Sequence, residues 1–417
     1  MMAMEGPFLA ATIARLPDPK LNLAAHGVAF AIAILIEAPV IMIMSASTAL
    51  ARDRDSYRRL RAFSYGLNLL ATLLLLILLI PSVFDVLARG VLGLPPDVAD
   101  ITQGALWFFL PWPIAIGYRR FLHGVMIRSG KTRLVAAGTV LRLATTVIVA
   151  LMLYSAFDIP GAWVGAGALS AGVCMEAIAA RFMAADSVRR TLAIEGPAVG
   201  HPHHLDFSKI AHFYYPLALT SLIGLTAHPM LTFFMGRGVA PLESLAVFPV
   251  VHALSFVFRA LGLSYQEASI ALIGDELEGY RPVARFAGYL ALFSSIGIAL
   301  FAFTPLFGFW FSTLSGLTAE LVEYARIPAM LLVPLPALSV WLSVQRAVLV
   351  QGRRTKAITV ATAIELAGIA TIFGWVGWGL DWVGVSAAVL AFAGGRAMAN
   401  LYLIRPCRAV LNRREAL

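Results

Sequence analysis

An all-α polytopic membrane protein, built from two six-helix parallel repeats, is the fold this sequence predicts, and three observations carry it. The 417 residues are 60% hydrophobic and only 13% charged, far more apolar than one soluble core requires. Segment after segment runs about 20 mostly apolar residues, the length that takes a helix across a ~30 Å hydrocarbon core. The second half of the chain also repeats the pattern of the first, the signature of an internal duplication. No tract alternates at period two over units of about ten residues, which argues against a membrane barrel.

Hydropathy and punctuation place spans at 21–50, 62–85, 99–127, 133–155 and 160–184, then, after a polar stretch, at 209–236, 242–273, 284–312, 322–351, 357–378 and 382–404. That makes eleven. Placing the loop "ARDRDSYRRLR" on one side puts "RSGKTR", "SVRR", "GYRPVAR", "GRRTK" and the tail "RPCRAVLNRRE" with it. Together with Lys209, that face carries twenty Lys and Arg, against Arg15, Lys20, Arg89, Arg237 and Arg326 on the other. Such an excess marks the cytoplasmic side, so the C-terminus is expected there, in a multi-pass protein of the plasma (inner) membrane. Topology thus explains most of the net charge of +9, and no nucleic-acid partner is needed. Cys174 and Cys407 lie far apart and suggest no disulfide framework.

The repeat sets the organisation. "FFLPWPIAIGYRRFLHGVMIRSGKTR" aligns with "LLVPLPALSVWLSVQRAVLVQGRRTK", matching Pro111 and Pro113 to Pro334 and Pro336, and Gly130 to Gly352. "GAWVGAGALSAG" matches "LDWVGVSAAVLA", and His26 pairs with His252. The expected lobes are 1–186 and 208–417, joined by a cytoplasmic linker at 187–207. Six helices per copy is an even number, so both copies share one orientation. Twelve spans are then expected.

The first of them starts oddly. "GPFLAATIARLPDP" falls on "HPMLTFFMGRGVAP", with Pro7 on Pro229 and Arg15 on Arg237. Helix seven begins near Lys209, well upstream of Pro229, whereas Met1 falls inside the matching helix. The expectation is a first helix lacking its cytoplasmic half; a short natural helix is the alternative. A signal peptide would need a basic n-region and a small-residue cleavage site, and neither is present.

Charge inside hydrocarbon is costly and is usually paired or functional. Arg142 and Glu176 flank the outer turn at Asp158 at similar distances along the chain, and Glu365 and Arg396 do the same around Asp381. Acid and base trade places between the copies while both pairs survive. A structural ion pair in each hairpin fits this, and a protonatable gate is the other reading. Glu37 sits mid-helix before Pro39, and its repeat region carries Arg259 and Glu267. A carboxylate there either titrates and coordinates a cation, H+ or Na+, or bonds a neighbouring helix. Arg119, Arg120 and Arg346, in the cytoplasmic halves of the fourth helices, either form a basic vestibule for anions or snorkel to headgroups. His228-Pro229 kinks helix seven, and such kinks often border a substrate path. By alignment Glu5 falls near that His-Pro position and becomes a cavity candidate.

No HExxH, Walker loop or GxSxG elbow occurs, so no enzyme activity and no cofactor are expected. The linker tract of His201, His203 and His204, with His212, has neither Cys nor fixed metal spacing, so no metal is expected. The partners expected are a small solute and the lipid bilayer, with the chain acting as a monomer.

Two parallel six-helix repeats with a cytoplasmic linker resemble the multidrug/oligosaccharidyl-lipid/polysaccharide flippase superfamily, and the chain is MATE-like in this sense. "FYYPLALTSLIGLTAHPMLTFFMGRG", "VPLP" at 333–336 and "LHGVMIRSGK" are similar to segments of its progressive ankylosis (ANK) transporter family. The resemblance implies a two-lobed transporter alternating between inward and outward openings. It also implies export of an organic or phosphorylated anion such as citrate, pyrophosphate or nucleotide. The wider superfamily holds H+- or Na+-coupled multidrug antiporters and lipid flippases, which are the alternatives.

Overall fold

The computed structural model describes residues 5–196, 205–273, 277–352 and 354–415; within these, the side chains of 216, 220, 267, 271, 355 and 413–415 are outside the description. Regular structure among the described residues is helical, apart from one parallel bridge between Val239 and Val383. The order begins α1 (Glu5–Ile13), α2 (Pro19–Ile41), α3 (Ile43–Leu50), α4 (Arg54–Leu78) and α5 (Pro81–Asp85), which runs into a π-helical turn at Val86–Val91. Next come α6 (Pro96–Phe108), α7 (Trp112–Arg128), α8 (Thr132–Ala156), α9 (Gly161–Met183) and α10 (Ala185–Ala193). After the linker come α11 (Phe207–Leu225), α12 (Ala227–Gly236), α13 (Pro241–Ile273), α14 (Tyr280–Phe303) and the short α15 (Leu306–Gly308) with a π turn at Phe309–Leu314. The chain ends with α16 (Ala319–Leu331), α17 (Leu335–Gln351), α18 (Thr355–Phe373) closed by a π turn at Gly374–Gly379, and α19 (Gly384–Glu415).

Among the described residues nine helical stretches are long and apolar enough to cross a membrane, and α16 with α17 makes a tenth, bent by 43°. The expected continuous spans at 99–127 and 322–351 are therefore broken. Pro111 and Pro334 occupy the N-cap positions of α7 and α17, and a proline cannot donate the backbone bond that would continue the preceding helix. Helix seven breaks at Thr226, two residues ahead of the expected His228-Pro229 kink. The lipid-facing surfaces are plain from exposure. On α4, Leu69, Leu70, Leu73, Leu74 and Ile77 are all exposed, a stripe that water would penalise and acyl chains accept. The polar start of α4 is fixed by Asp53, whose side chain accepts from the backbone N–H groups of Asp55 and Ser56 at 3.0 and 2.9 Å, a capping box.

The second half reproduces the first at an offset of 222 or 223 residues: α1 with α12, α2 with α13, α6 with α16, α7 with α17, α8 with α18 and α9 with α19. Even the irregularities repeat. The π turns at Val86–Val91 and Phe309–Leu314 correspond, and so do two left-handed pairs, Asp18 with Ala240 (φ 49° and 50°) and Gly93 with Gly316 (φ 69° and 71°). The α11 helix has no counterpart among the described residues of the first half.

By contacts the chain divides into two compact units. The first holds 28–91 and 96–229 with the start of α1; the second holds 230–417 together with 6–27 and 92–95. Residues 6–27 thus group with the second unit, whereas the sequence assigns them to the lobe 1–186. The contacts show why. Arg15 donates to the carbonyl of Thr313 at 2.7 Å, and Lys20 pairs with Glu320 at 2.9 Å and with Glu243 at 2.5 Å. Also within the second unit, Arg15 of the first copy packs on Gly316 of the second, and Arg237 of the second packs on Gly93 of the first. A Cβ on either glycine would stand 3.2 or 3.1 Å from the arginine Cγ. Positive φ and this close approach both select glycine there.

The first unit packs around Ile43, Tyr57, Leu60, Phe121 and Val125. The second packs around Val340, Leu342, Ala347, Ala399 and Leu403.

Candidate functional site

Each unit buries a set of charged side chains where its helices cross. In the first, α8 and α9 approach closely at Gly172: a Cβ there would lie 2.2 Å from Thr146 Oγ1 and 3.0 Å from the Arg142 carbonyl. That contact brings Arg142 and Glu176 together, with Arg142 Nη1 3.8 Å from Glu176 Oε2. The expected hairpin pair is only one link of a larger network. Glu176, fully buried, takes its shorter contact from Arg119 Nη1 at 2.7 Å, and its other oxygen lies 3.8 Å from His123 Nε2. Arg142 turns instead to Glu5, donating from Nη2 to Oε2 at 3.0 Å, and Thr146 donates to the second Glu5 oxygen at 3.2 Å. Two carboxylates and two guanidiniums are thereby interleaved in a chain, the pairing that buried charge requires, and Arg119 Nε, Arg142 Nε and Glu176 Oε1 are left without a hydrogen-bond partner among the described residues.

Glu37 is different. It is 1% exposed, and neither carboxylate oxygen has a hydrogen-bond partner among the described residues. Arg120 and Arg119 are the charges acting on it. Two residues on, the Tyr214 hydroxyl donates to the Pro39 carbonyl, tying α11 to α2 beside the proline that interrupts α2's own bonding.

In the second unit the equivalent crossing is at Gly395, where a Cβ would lie 2.6 Å from the Glu365 carbonyl. Arg396, the next residue, donates from Nε to Glu365 Oε1 at 2.8 Å, with Nη2 at 2.7 Å from the same oxygen. Its Nη1 reaches Ser339 Oγ at 3.4 Å. Phe392, one turn earlier on α19, carries two guanidiniums on its ring: Arg259 at 4.8 Å and Arg396 at 5.4 Å from the centroid, positions that favour a cation–π attraction. Arg346 donates to Thr362 at 3.5 Å, one turn from Glu365. Arg259 is 7% exposed, and its Nε and Nη1 have no partner among the described residues; the Arg346 Nε has none either. Two arginines therefore carry buried donors that the protein leaves unanswered, a costly arrangement unless something else accepts them.

The repeat register sharpens this. By the offset between helices, Glu37 corresponds to Arg259, Arg142 to Glu365, and His123 to Arg346. At 37 and 142 the equivalent residue of the second unit carries the opposite sign, whereas His123 corresponds to a cation. His123, Thr146 and Phe392 are not apparent as site residues from sequence; the offset from Arg346 would have found His123, while Phe392 carries no signal of its own. His228 sits half-buried in the first turn of α12, and the Glu267 side chain lies outside the described residues, as do Met1, His201, His203 and His204. Among the described residues no group of three or more His, Cys, Asp or Glu could hold a metal ion.

The fold these elements define is shared with solved structures of MATE transporters and of a lipid II flippase. Solved structures that share it include an inward-facing multidrug resistance MATE family transporter of the MOP superfamily, at a TM-score of 0.77 and 15% identity over 99% of this chain and 95% of that one. The lipid II flippase MurJ, in an inward closed conformation, superposes at 0.75 with 14% identity, covering 97% of this chain and 85% of MurJ. The Vibrio cholerae MATE transporter VcmN in its bent form scores 0.57 at 15% identity, over 100% and 98% of the two chains. At these identities the likeness is one of fold. No family model and no curated protein sequence matches the chain.

Proposed function

We propose that this protein is a secondary active transporter that exports a small organic or phosphorylated anion by alternating access between its two halves. The observation that supports the anion is the second unit's charge: Arg259, Arg346 and Arg396 are buried or half-buried, and Glu365 is their one carboxylate among the described side chains. Guanidinium forks match carboxylate and phosphate oxygens two bonds at a time, and the unused donors of Arg259 and Arg346 are of the type such a substrate would take. Arg396 is held in place by Glu365 and Ser339, so its role is to support the other two. The shared fold supports a transporter, and the progressive ankylosis resemblance supports the anion.

Glu37 supports a second reading, cation-coupled extrusion of cationic drugs, because a buried carboxylate with two unanswered oxygens suits a proton or Na+. A third, headgroup flipping, draws on the fold shared with MurJ. Proteoliposomes separate the three. Accumulation of labelled citrate or pyrophosphate that is abolished in Arg346→Ala supports the anion. Dye accumulation driven by a pH gradient and lost in Glu37→Gln would replace it with drug antiport. Movement of a labelled lipid, with neither solute transported, would replace both.

A further inference from the structure

The basic ends of α18 and α19 frame an open cavity of about 960 Å³. Arg354, Lys356 and Arg405 line it with Tyr402, and Leu401 and Pro406 form part of its apolar wall; no carboxylate is among the lining residues. It lies where two membrane-crossing stretches begin and end, since these run Lys356–Gly379 and Gly384–Asn412. The Lys and Arg asymmetry of the loops puts that end on the cytoplasmic side.

The first half explains what this cavity lacks. At the offset of 223, Arg354 corresponds to Lys131 and Ala409 to Asp186. In the first half Lys131 pairs with Asp186, which also takes Arg190 at 3.1 Å. The protein fills that site with its own carboxylate. In the second half the carboxylate position is Ala409 and Phe182 is replaced by Arg405, so three cations line the cavity with no carboxylate of the protein among the lining residues.

We propose that this cavity binds the phosphate-bearing headgroup of an anionic phospholipid from the cytoplasmic leaflet. Basic pockets between membrane helices on this side are suited to such headgroups. The surface leading to the cavity favours a lipid over a soluble phosphate. Met398, Leu401 and Arg405 follow at three- and four-residue spacing on one face of α19, and Met398 and Leu401 are 42% and 66% exposed. An acyl chain lies along that apolar stripe, and the phosphate meets Arg405, Arg354 and Lys356 at its end.

The test is native mass spectrometry of the purified full chain after exchange into mixed phosphatidylglycerol and phosphatidylcholine. The wild type retains phosphatidylglycerol preferentially. The Arg354→Gln/Lys356→Gln/Arg405→Gln variant lowers the ratio of the two adducts about tenfold, as loss of several interfacial cations should. Ala409→Asp, which gives the site its own carboxylate and leaves every cation in place, lowers it comparably. Monodisperse elution and an unchanged melting temperature for Ala409→Asp establish that the fold is intact. Absence of any preference in the wild type would overturn the proposal. So would a ratio unchanged in Ala409→Asp, because loss in the triple variant alone would reflect diffuse surface charge. Saturable binding of inorganic phosphate without phosphatidylglycerol retention would overturn it in favour of a soluble ligand.

Discussion

In the first half of the molecule Arg119 and Arg142 are buried and Arg120 is half-buried, with Glu5, Glu37 and Glu176, whereas in the second half Arg259, Arg346 and Arg396 have Glu365 alone among the described side chains. The backbones that carry them are the same, down to matching π turns and matching left-handed residues. Duplication therefore preserved the crossings, set by Gly172 and Gly395, and let the charges diverge. At 142 and 365 the sign is inverted outright. The partner on the facing helix follows the glycine by four residues in the first half and by one in the second, a shift of one turn, so an opposite charge is met in both. What differs is the balance: the first half sets three carboxylates against three arginines and the second sets one against three, while unanswered guanidinium nitrogens occur in both.

The harshest way to break the comparison is Glu365→Ala. It strips the second half of the carboxylate that anchors Arg396 and leaves three cations uncompensated, which should cost about 3–5 kcal/mol, as removal of one partner from a buried pair does. Melting temperature and yield of folded protein in detergent report it. The double exchange Glu365→Arg with Arg396→Glu copies the polarity of the first half and should recover part of the loss; no recovery would mean the two crossings are not interchangeable. Next in size come Gly172→Ala and Gly395→Ala, whose added methyls meet neighbours at 2.2 and 2.6 Å and should each cost about 1–3 kcal/mol by overpacking. Similar losses at both sites sharpen the equivalence, and a loss at one alone breaks it.

Glu37→Gln should behave in the opposite sense. It removes a buried carboxylate whose oxygens have no partner, so stability holds or rises by up to about 1 kcal/mol, while any dependence of transport on a proton or Na+ gradient disappears. A marked drop in melting temperature would show that Glu37 is held by structure. The smallest effect belongs to the surface pair. Lys131, with Arg190, holds the Asp186 carboxyl below its ordinary value. A group depressed in the folded state contributes stability that is present above its unfolded value and is lost as pH falls through its folded value. The melting temperatures of wild type and Asp186→Asn should therefore differ slightly near neutral pH and converge in acid.

Much of this was legible in the sequence because its signals are loud. Apolar length marked most of the spans, and an arginine or glutamate inside an apolar run is conspicuous enough to mark 142, 176, 365 and 396. What escaped depends on rotation and depth, which a linear pattern does not encode. Nothing in the sequence says that Arg119 takes Glu176 at 2.7 Å while Arg142 turns to Glu5. Phe392 reads as one more apolar residue until two guanidiniums are seen on its ring. The breaks before α7 and α17 were signalled by Pro111 and Pro334, but hydropathy windows average across them. The grouping of 6–27 with the second unit rests on Arg15 and Lys20 reaching residues some 300 positions away.

The proposal that the uncompensated arginines of the second half receive the anion is tested most directly by equilibrium binding of labelled pyrophosphate to the purified protein, wild type against Arg259→Gln. We expect saturable binding that weakens about tenfold or more when this fork is removed and changes little in Glu37→Gln. Equal affinity in wild type and Arg259→Gln, with binding lost instead in Glu37→Gln, would contradict it and move the substrate site to the first half.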